Sequence, residues 1–399
     1  MSDINDFNRE QNELRGNGKK GAILVEADNL AEATHKTIIA CYDNGTRIET
    51  PKQKPGMSLG YDANITVVVK NPDSEPKVCY PGIHDGAEGV MQYILEVTHG
   101  IHNHWKKDAE HPNRWGYTYN ERFVEQLPFI FERIKHDWDS RKRITGRDYQ
   151  FAIWRAGEDI ILEQDDPPCW QLGQLRFFQN KEGNFVMNYE TDWRSRDLLK
   201  AWNENNIGQI ELMKLLASKV SNIISQPVEL GSYIDHSSSL HLYGLYVDRD
   251  NLPKQIEKMK SRGYEDLSCS TNDFFMNVGG KNKKGLMRLV AAQMDAESRG
   301  HGLNQPESRL KQLGYDLDKF EYPSEWDSWP KSWDATPDPS KLARVYKPEE
   351  ALVEAGKILG MSVNDLNIVS ESYHKSPDKS SWLLHHEHLM QDDPDEWMR

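Results

Sequence analysis

Cysteine is scarce: four residues in 399, at positions 41, 79, 169 and 269, with no CxxC pair among them. That spacing speaks against a disulfide framework and against a structural zinc site, and it suits a reducing, cytoplasmic setting. Long apolar runs are missing as well. No stretch of 18 or more apolar residues occurs, so no membrane span is expected. The opening MSDINDFNREQNELRGNGKK is polar and lacks the apolar centre of a secretory signal. Positive charge is in deficit, with 49 Lys+Arg against 63 Asp+Glu, a net charge of −14. This disfavours nucleic acid as a partner, because duplex binding depends on neutralising phosphates. A small anion can still be held where arginines cluster against the global field.

What is present is the composition of a folded chain, with 12 tryptophans and a hydrophobic fraction of 37%. Residues 1–20 read as a mobile arm. Apolar spacing predicts a helix over Ala27–Gly45, a second over Gly86–Trp105, and a third, interrupted near Pro128, in ERFVEQLPFIFERIKHDW. A long helix follows from about Asn206. NITVVVKNP, YQFAIWR and WQLGQLRFFQN read as strands, and GNFVMNYETDW pairs with the last of these across Asn180–Gly183. SLHLYGLYVD, Ser239–Asp248, reads as a further strand. Interspersed helices and antiparallel-prone strands give an α+β fold. Beyond about Asn282 one amphipathic helix leads to a Pro/Trp/Asp-rich stretch, a short helix near Pro348–Leu359 and an acidic end. The expected boundaries are 21–300 for the main domain and 301–399 for an extension packed on or beside it.

Four stretches could carry chemistry. PPCW holds Cys169 after two prolines; a thiolate is a strong nucleophile, but a lone cysteine is more often a buried, inert one. DWRSRD, Asp192–Asp197, offers two guanidinium forks and a hydroxyl to a phosphate or carboxylate, or else forms a solvated ion cluster. AWNENNIG supplies asparagines that either cap the following helix or read an amide-like edge. HLY puts His241 and Tyr243 on one face of a strand. LLHHEHL, Leu383–Leu389, has metal-capable residues without HExxH spacing, and no metal is expected.

Pro-Pro-Cys, a strand pair, Arg-Ser-x-Asp, an asparagine 205 − 194 = 11 residues after that arginine, and His-x-Tyr follow one another in this order. The order resembles the thymidylate synthase superfamily of pyrimidine-nucleotide C5 methylases and hydroxymethylases, and RSRDLLKAWNENN is most similar to its archaeal and phage-type branches. YILEVTHG resembles the family's helix with a catalytic glutamate, here Glu96. Trp105 and Tyr119 stand 119 − 105 = 14 apart, like the family's cofactor-side tryptophan and active-site tyrosine. DSRKR, Asp139–Arg143, is similar to the segment that reaches the neighbouring subunit's phosphate.

The resemblance implies a mixed sheet packed with helices. It implies one-carbon transfer from 5,10-methylenetetrahydrofolate to C5 of a pyrimidine nucleotide, through addition of Cys169 to C6. Arg194 and Ser195 would hold the phosphate, joined by Arg141 and Lys142 from the partner of a homodimer. Asn205 would read the base and argues for uracil, since aspartate there goes with cytosine. His241 and Tyr243 would bind the ribose, Trp105 and Asp197 the pterin, and Glu96, with Tyr119 nearby, would move protons. The product is expected to be dTMP; a hydroxymethylated dUMP or dCMP and a non-catalytic nucleotide-binding homologue are the alternatives. The chain departs from the family pattern at several points. Trp170 replaces the histidine after the nucleophile, Lys142 replaces an arginine, and SSSL replaces the Gly-Asp before His-x-Tyr. In place of the family's phosphate loop stands GTRIETPKQKPG, where Arg47, Lys52 or Lys54 could substitute. The chain also continues about a hundred residues past the family's usual end.

Overall fold

The computed structural model describes residues 18–49, 56–107, 110–111, 114–161, 166–338 and 362. Its centre is an eight-stranded mixed sheet. The strands are β1 (Ala22–Ala27), β2 (Thr46–Ile48), β3 (Gly60–Val69), β4 (Gln150–Ala152), β5 (Trp170–Gln179), β6 (Phe185–Trp193), β7 (Arg196–Asp197) and β8 (Val228–Leu242). They run in the order β1-β3-β8-β6-β5-β4, with β2 beside β3 and β7 beside β8. The β5–β6 hairpin is antiparallel, as the sequence predicts, whereas β6 and β8 are parallel and joined by a long helix.

Alternation decides which face is covered. Val67, Asp235, Thr191 and Gly173 lie in one row across the sheet and point into the core. Their neighbours Val68, Ile234, Glu190 and Gln174 form the opposite, half-buried row. On that second face Leu24 and Phe178 are exposed. The covered face carries α1 (Leu30–Asn44) and α5 (Trp202–Ile224); α2 (Ala87–His99) packs on α5, α3 (Tyr119–Val124) meets the β4 edge, α4 (Leu127–Arg141) packs on α5 and α6 (Lys283–Ser298) lies on α2.

Three element ends differ from the sequence expectation, each for a local physical reason. Helix α2 stops at His99 instead of continuing to Trp105. Gly100 is left-handed (φ 63°), and a Cβ there would lie 2.3 Å from the Asn120 amide oxygen. Helix α5 begins at Trp202 instead of near Asn206, with no side-chain cap. Its first-turn polar groups bind elsewhere: Asn203 accepts from the Cys79 N–H at 3.0 Å and donates to the Lys77 carbonyl at 3.0 Å. Glu204 accepts from the backbone of His84 and Asp85. The strand expected over Ser239–Asp248 ends at Leu242, and residues 244–250 are helical. Gly244 is pressed onto the Ser58 carbonyl, where a Cβ would sit 1.7 Å away, so the chain turns there.

One compact unit runs through Pro337. Trp326 and Trp333 are buried in it. Trp333 packs on Phe131 with centroids 5.9 Å apart, Lys219 pairs with Asp334, and the carbonyls of Glu325 and Ser328 face His99 Nε2 at 3.0 Å. The expected helix at 348–359 and the LLHHEHL stretch lie outside the described residues. Among the described residues no helix is long and apolar enough to cross a membrane. The packing predicts that Trp333→Ala lowers unfolding free energy by about 3–5 kcal/mol, the usual cost of emptying a buried aromatic site. Urea denaturation would measure it, and a loss below about 1 kcal/mol would show that this segment is not part of the core.

Candidate active site

Pro167 and Pro168 fix the backbone before Cys169, which enters β5 through fully buried Trp170. Arg194, at the end of β6, clasps this segment. Its backbone N–H donates to the Cys169 carbonyl at 2.8 Å, its Nε–H to Pro168 O at 3.0 Å and its Nη2 to Pro167 O at 2.5 Å. Gln171 donates to Pro168 O at 2.9 Å. The thiol is thus held from behind, while part of the Arg194 guanidinium keeps free donors for an anion. Ser195, beside it, is half-buried.

Burial pushes the Cys169 thiol above its ordinary pKa, outweighing the lowering by Arg194 and Arg196; Asp166 adds to the rise. The thiol is therefore protonated at neutral pH in the resting protein. Burial is the main cause that raises the pKa values of Tyr117, Tyr119 and Tyr243, and an ionised Cys169 would raise them further.

Behind Cys169 stands an aromatic wall. Trp170 stacks on Trp193 (5.7 Å, 15°) and meets Tyr119 edge-on at 5.7 Å. Its indole N–H donates to the Leu172 carbonyl at 2.7 Å. Where the family pattern has a histidine, this chain has a ring that fills the core and satisfies its own donor.

Under Trp193 lies Arg196, its guanidinium carbon 3.9 Å from the ring centroid. Arg196 is buried and bonded to Asp235, to Asn206 Oδ1 at 3.1 Å and to Ser237 at 3.3 Å. Trp202 Nε1 donates to Asp235 at 3.0 Å, and the Tyr233 hydroxyl to Asn206 at 2.8 Å. None of the asparagines in AWNENNIG caps the helix. Asn203 and Asn206 are absorbed into the core, whereas half-buried Asn205 makes no side-chain hydrogen bond among the described residues.

His241 and Tyr243 meet edge to face at 4.6 Å although Tyr243 lies past the strand. His241 sits beside Asp62 on β3 and Asp197 on β7. Burial lowers its pKa despite both acids, so it is neutral at pH 7, and its Nε2 is buried without a partner. The Asp197 carboxylate accepts from the N–H groups of Leu199 (2.9 Å) and Lys200 (3.1 Å) and from the Tyr246 hydroxyl. Its engagements here are within the chain.

Next to this cluster is a cavity of about 320 Å³, lined among others by Glu96, His102, Arg114, Trp115, Tyr117, Tyr119 and Asp166. Trp105 is not among its lining residues; that ring carries the Arg114 guanidinium at 4.3 Å. Trp115 lines the cavity instead, a residue the fourteen-residue spacing could not single out. His102 was also missed, because Gly100 ends the helix and helical periodicity says nothing about the returning turn. Arg141 and Lys142 are exposed at the end of α4, away from Cys169 in this chain. Arg141 pairs with Asp137, and the Lys142 ammonium lies 5.1 Å from the Trp138 ring centroid. Arg47 donates to the Leu59 carbonyl at 2.8 Å and stacks on Tyr61, while Lys52 and Lys54 lie outside the described residues.

No family model matches the chain. A protein of Methanothermobacter marburgensis provisionally named thymidylate synthase is 31% identical over 235 residues, 56% of this chain and 93% of the relative. One of Methanocaldococcus jannaschii, with the same provisional name, is 26% identical over 232 residues, 57% of this chain and 92% of the relative. The solved thermostable thymidylate synthase A of Bacillus subtilis aligns with a TM-score of 0.37 and 15% identity over 57% of this chain and 84% of that one.

The thiol's setting predicts a reactivity profile. Alkylation of Cys169 by iodoacetamide, followed on its own peptide by mass spectrometry, should rise about tenfold per pH unit through neutrality. Its midpoint should lie above that of a free thiol, and Arg194→Gln should move it higher still. A midpoint below that of a free thiol would contradict this balance of burial over charge.

Proposed function

This chain belongs to the thymidylate synthase family, and from that premise we propose that it methylates dUMP at C5 to give dTMP, with 5,10-methylenetetrahydrofolate as the one-carbon donor. The observation that carries the reading is the clasp of Arg194 on the Pro167–Cys169 backbone, with Tyr119 packed against Trp170 beside it. C5 of uracil is a poor nucleophile until C6 is attacked. Cys169 adds to C6, its proton leaving as the S–C6 bond forms, and the resulting enolate makes C5 nucleophilic. Arg194, already holding the Pro167–Cys169 backbone, presents its remaining donors and Ser195 its hydroxyl to the phosphate.

Half-buried Asn205 has its amide unused, which suits an acceptor–donor match to the uracil edge. Neutral His241, with Nε2 unpartnered, and Tyr243 suit a ribose hydroxyl. Glu96 and Tyr119 border the same cavity and are the groups to move protons at C5 and O4. Asp197 acts by holding the turn between β7 and α5, through Leu199 and Lys200.

The cavity suits a flat pterin. It has the size of a small-ligand site, and Trp115 and Tyr117 offer ring faces beside the polar Glu96 and Arg114. When bound, methylenetetrahydrofolate supplies the carbon and, for a methyl product, a hydride. The protein's part is to keep water away, and the aromatic lining favours methylation over hydroxymethylation. A homodimer is supported by the uncovered sheet face and by exposed Arg141 and Lys142.

Incubation with dUMP and methylenetetrahydrofolate should yield dTMP by mass and an absorbance rise from dihydrofolate. Hydroxymethyl-dUMP without dihydrofolate would replace the methylase reading with the hydroxymethylase one. Cys169→Ser should lower kcat by roughly 10³-fold or more. Asn205→Asp should cut turnover of dUMP and raise that of dCMP; unchanged preference would remove Asn205 as the base reader.

A further inference from the structure

We infer that His102, flanked by Glu297 of α6, is the residue that positions Glu96; the inference rests on reading Glu96 as the proton-moving group. Glu96 lies in the last turn of α2. The Gly100 turn sends the chain back, so His102 returns against that turn with only 4% of its side chain exposed. Its Nδ1 is 2.7 Å from Glu96 Oε1. Gln92 Nε2 donates to the same oxygen at 2.9 Å. One carboxylate oxygen therefore has two donors, while Oε2 has no hydrogen-bond partner among the described residues, in a residue that lines the cavity.

This asymmetry has a chemical consequence. Two donors on Oε1 stabilise charge there and fix the carboxylate's rotation. The proton is then taken up and released at Oε2, the oxygen left for the cavity. With Glu96 ionised, Nδ1 carries the hydrogen, and Nε2 stands 3.8 Å from Glu297 Oε2, beyond a hydrogen bond. Glu297 is itself 8% exposed and bound through Oε1 to His104 Nε2 at 3.0 Å. The ring also meets Trp115, edge-on at 5.7 Å, and His104 at 6.2 Å, so the group that orients Glu96 also supports the cavity wall. Nothing in this chain of contacts touches the nucleotide side of Cys169, so His102 acts through Glu96 as a positioning residue.

Two substitutions of similar size separate the contacts. The amide of His102→Asn can place an N–H where Nδ1 sits; that of His102→Gln reaches towards Glu297 instead. With dUMP and methylenetetrahydrofolate, His102→Gln should lower kcat by about 10–100-fold, the usual cost of losing a supporting partner of a catalytic group. KM for dUMP should stay within about threefold, and His102→Asn should recover most of kcat. Glu297→Gln should lower kcat less, and should add nothing in the His102→Gln background, because both act through one path. Equal kcat for the two His102 variants, or a kcat for His102→Gln within about twofold of wild type, would overturn the inference. Glu96→Gln is run in parallel. If it turns over like wild type, the role of Glu96 fails and positioning with it. If it is inactive while His102→Gln is unimpaired, only the positioning claim falls. Thermal midpoints separate misfolding from these effects, and Glu297→Gln, isosteric with the native residue, carries the test if both His102 variants unfold.

Discussion

The buried pair between Arg196 and Asp235 is the interaction on which the site depends. Both side chains are almost wholly out of water, at 2% and 1% exposure. A buried guanidinium is costly unless it is paired and hydrogen-bonded; here Asp235, Asn206 and Ser237 take its two terminal nitrogens, while Nε–H has no partner among the described residues. The same carboxylate receives the Trp202 indole, so one ion pair ties β7, β8 and the start of α5. On its other side the guanidinium lies under Trp193, which stacks on Trp170 directly after Cys169. Removing one partner would leave the other charged and buried, which typically costs about 3–5 kcal/mol.

The two arginines of Arg-Ser-Arg therefore do opposite work two residues apart. The strand is interrupted at Arg194 and Ser195, between Trp193 and Arg196, so the pair need not share a face, and Arg196 is buried and spent on structure. Arg194 points to the proline carbonyls and the thiol, where donors remain. The Cys169 thiol stays protonated because burial outweighs both cations. A half-buried, protonated thiol is less open to stray electrophiles, and in the proposed reaction its activation belongs to the substrate-bound state. Trp170 fits this picture. It is part of the wall that buries the sulfur, not a hydrogen-bonding partner of the chemistry.

Much of this was legible in the chain itself. The β5–β6 hairpin follows from alternation and Asn180–Gly183, and α1 from its apolar spacing. The order of Cys169, Arg194, Asn205 and His-x-Tyr carries the family. What sequence reasoning missed lies where the chain reverses. Helical periodicity ends at Gly100, so the return of His102 onto Glu96 could not be read, nor could Glu297 arriving from 195 residues further on (297 − 102). Trp115, not Trp105, lines the cavity, and spacing along a loop does not say which ring does so. The asparagines at the start of α5 suggested capping; tertiary contacts to residues 77 and 79 and to Arg196 claimed two of them instead.

A structure with dUMP bound tests the role of Cys169 most directly. Cys169 Sγ should stand about 3–3.5 Å from C6, with the phosphate on Arg194 and the uracil edge on Asn205. A nucleotide bound with its base turned away from Cys169, or with its phosphate elsewhere than Arg194, would contradict it.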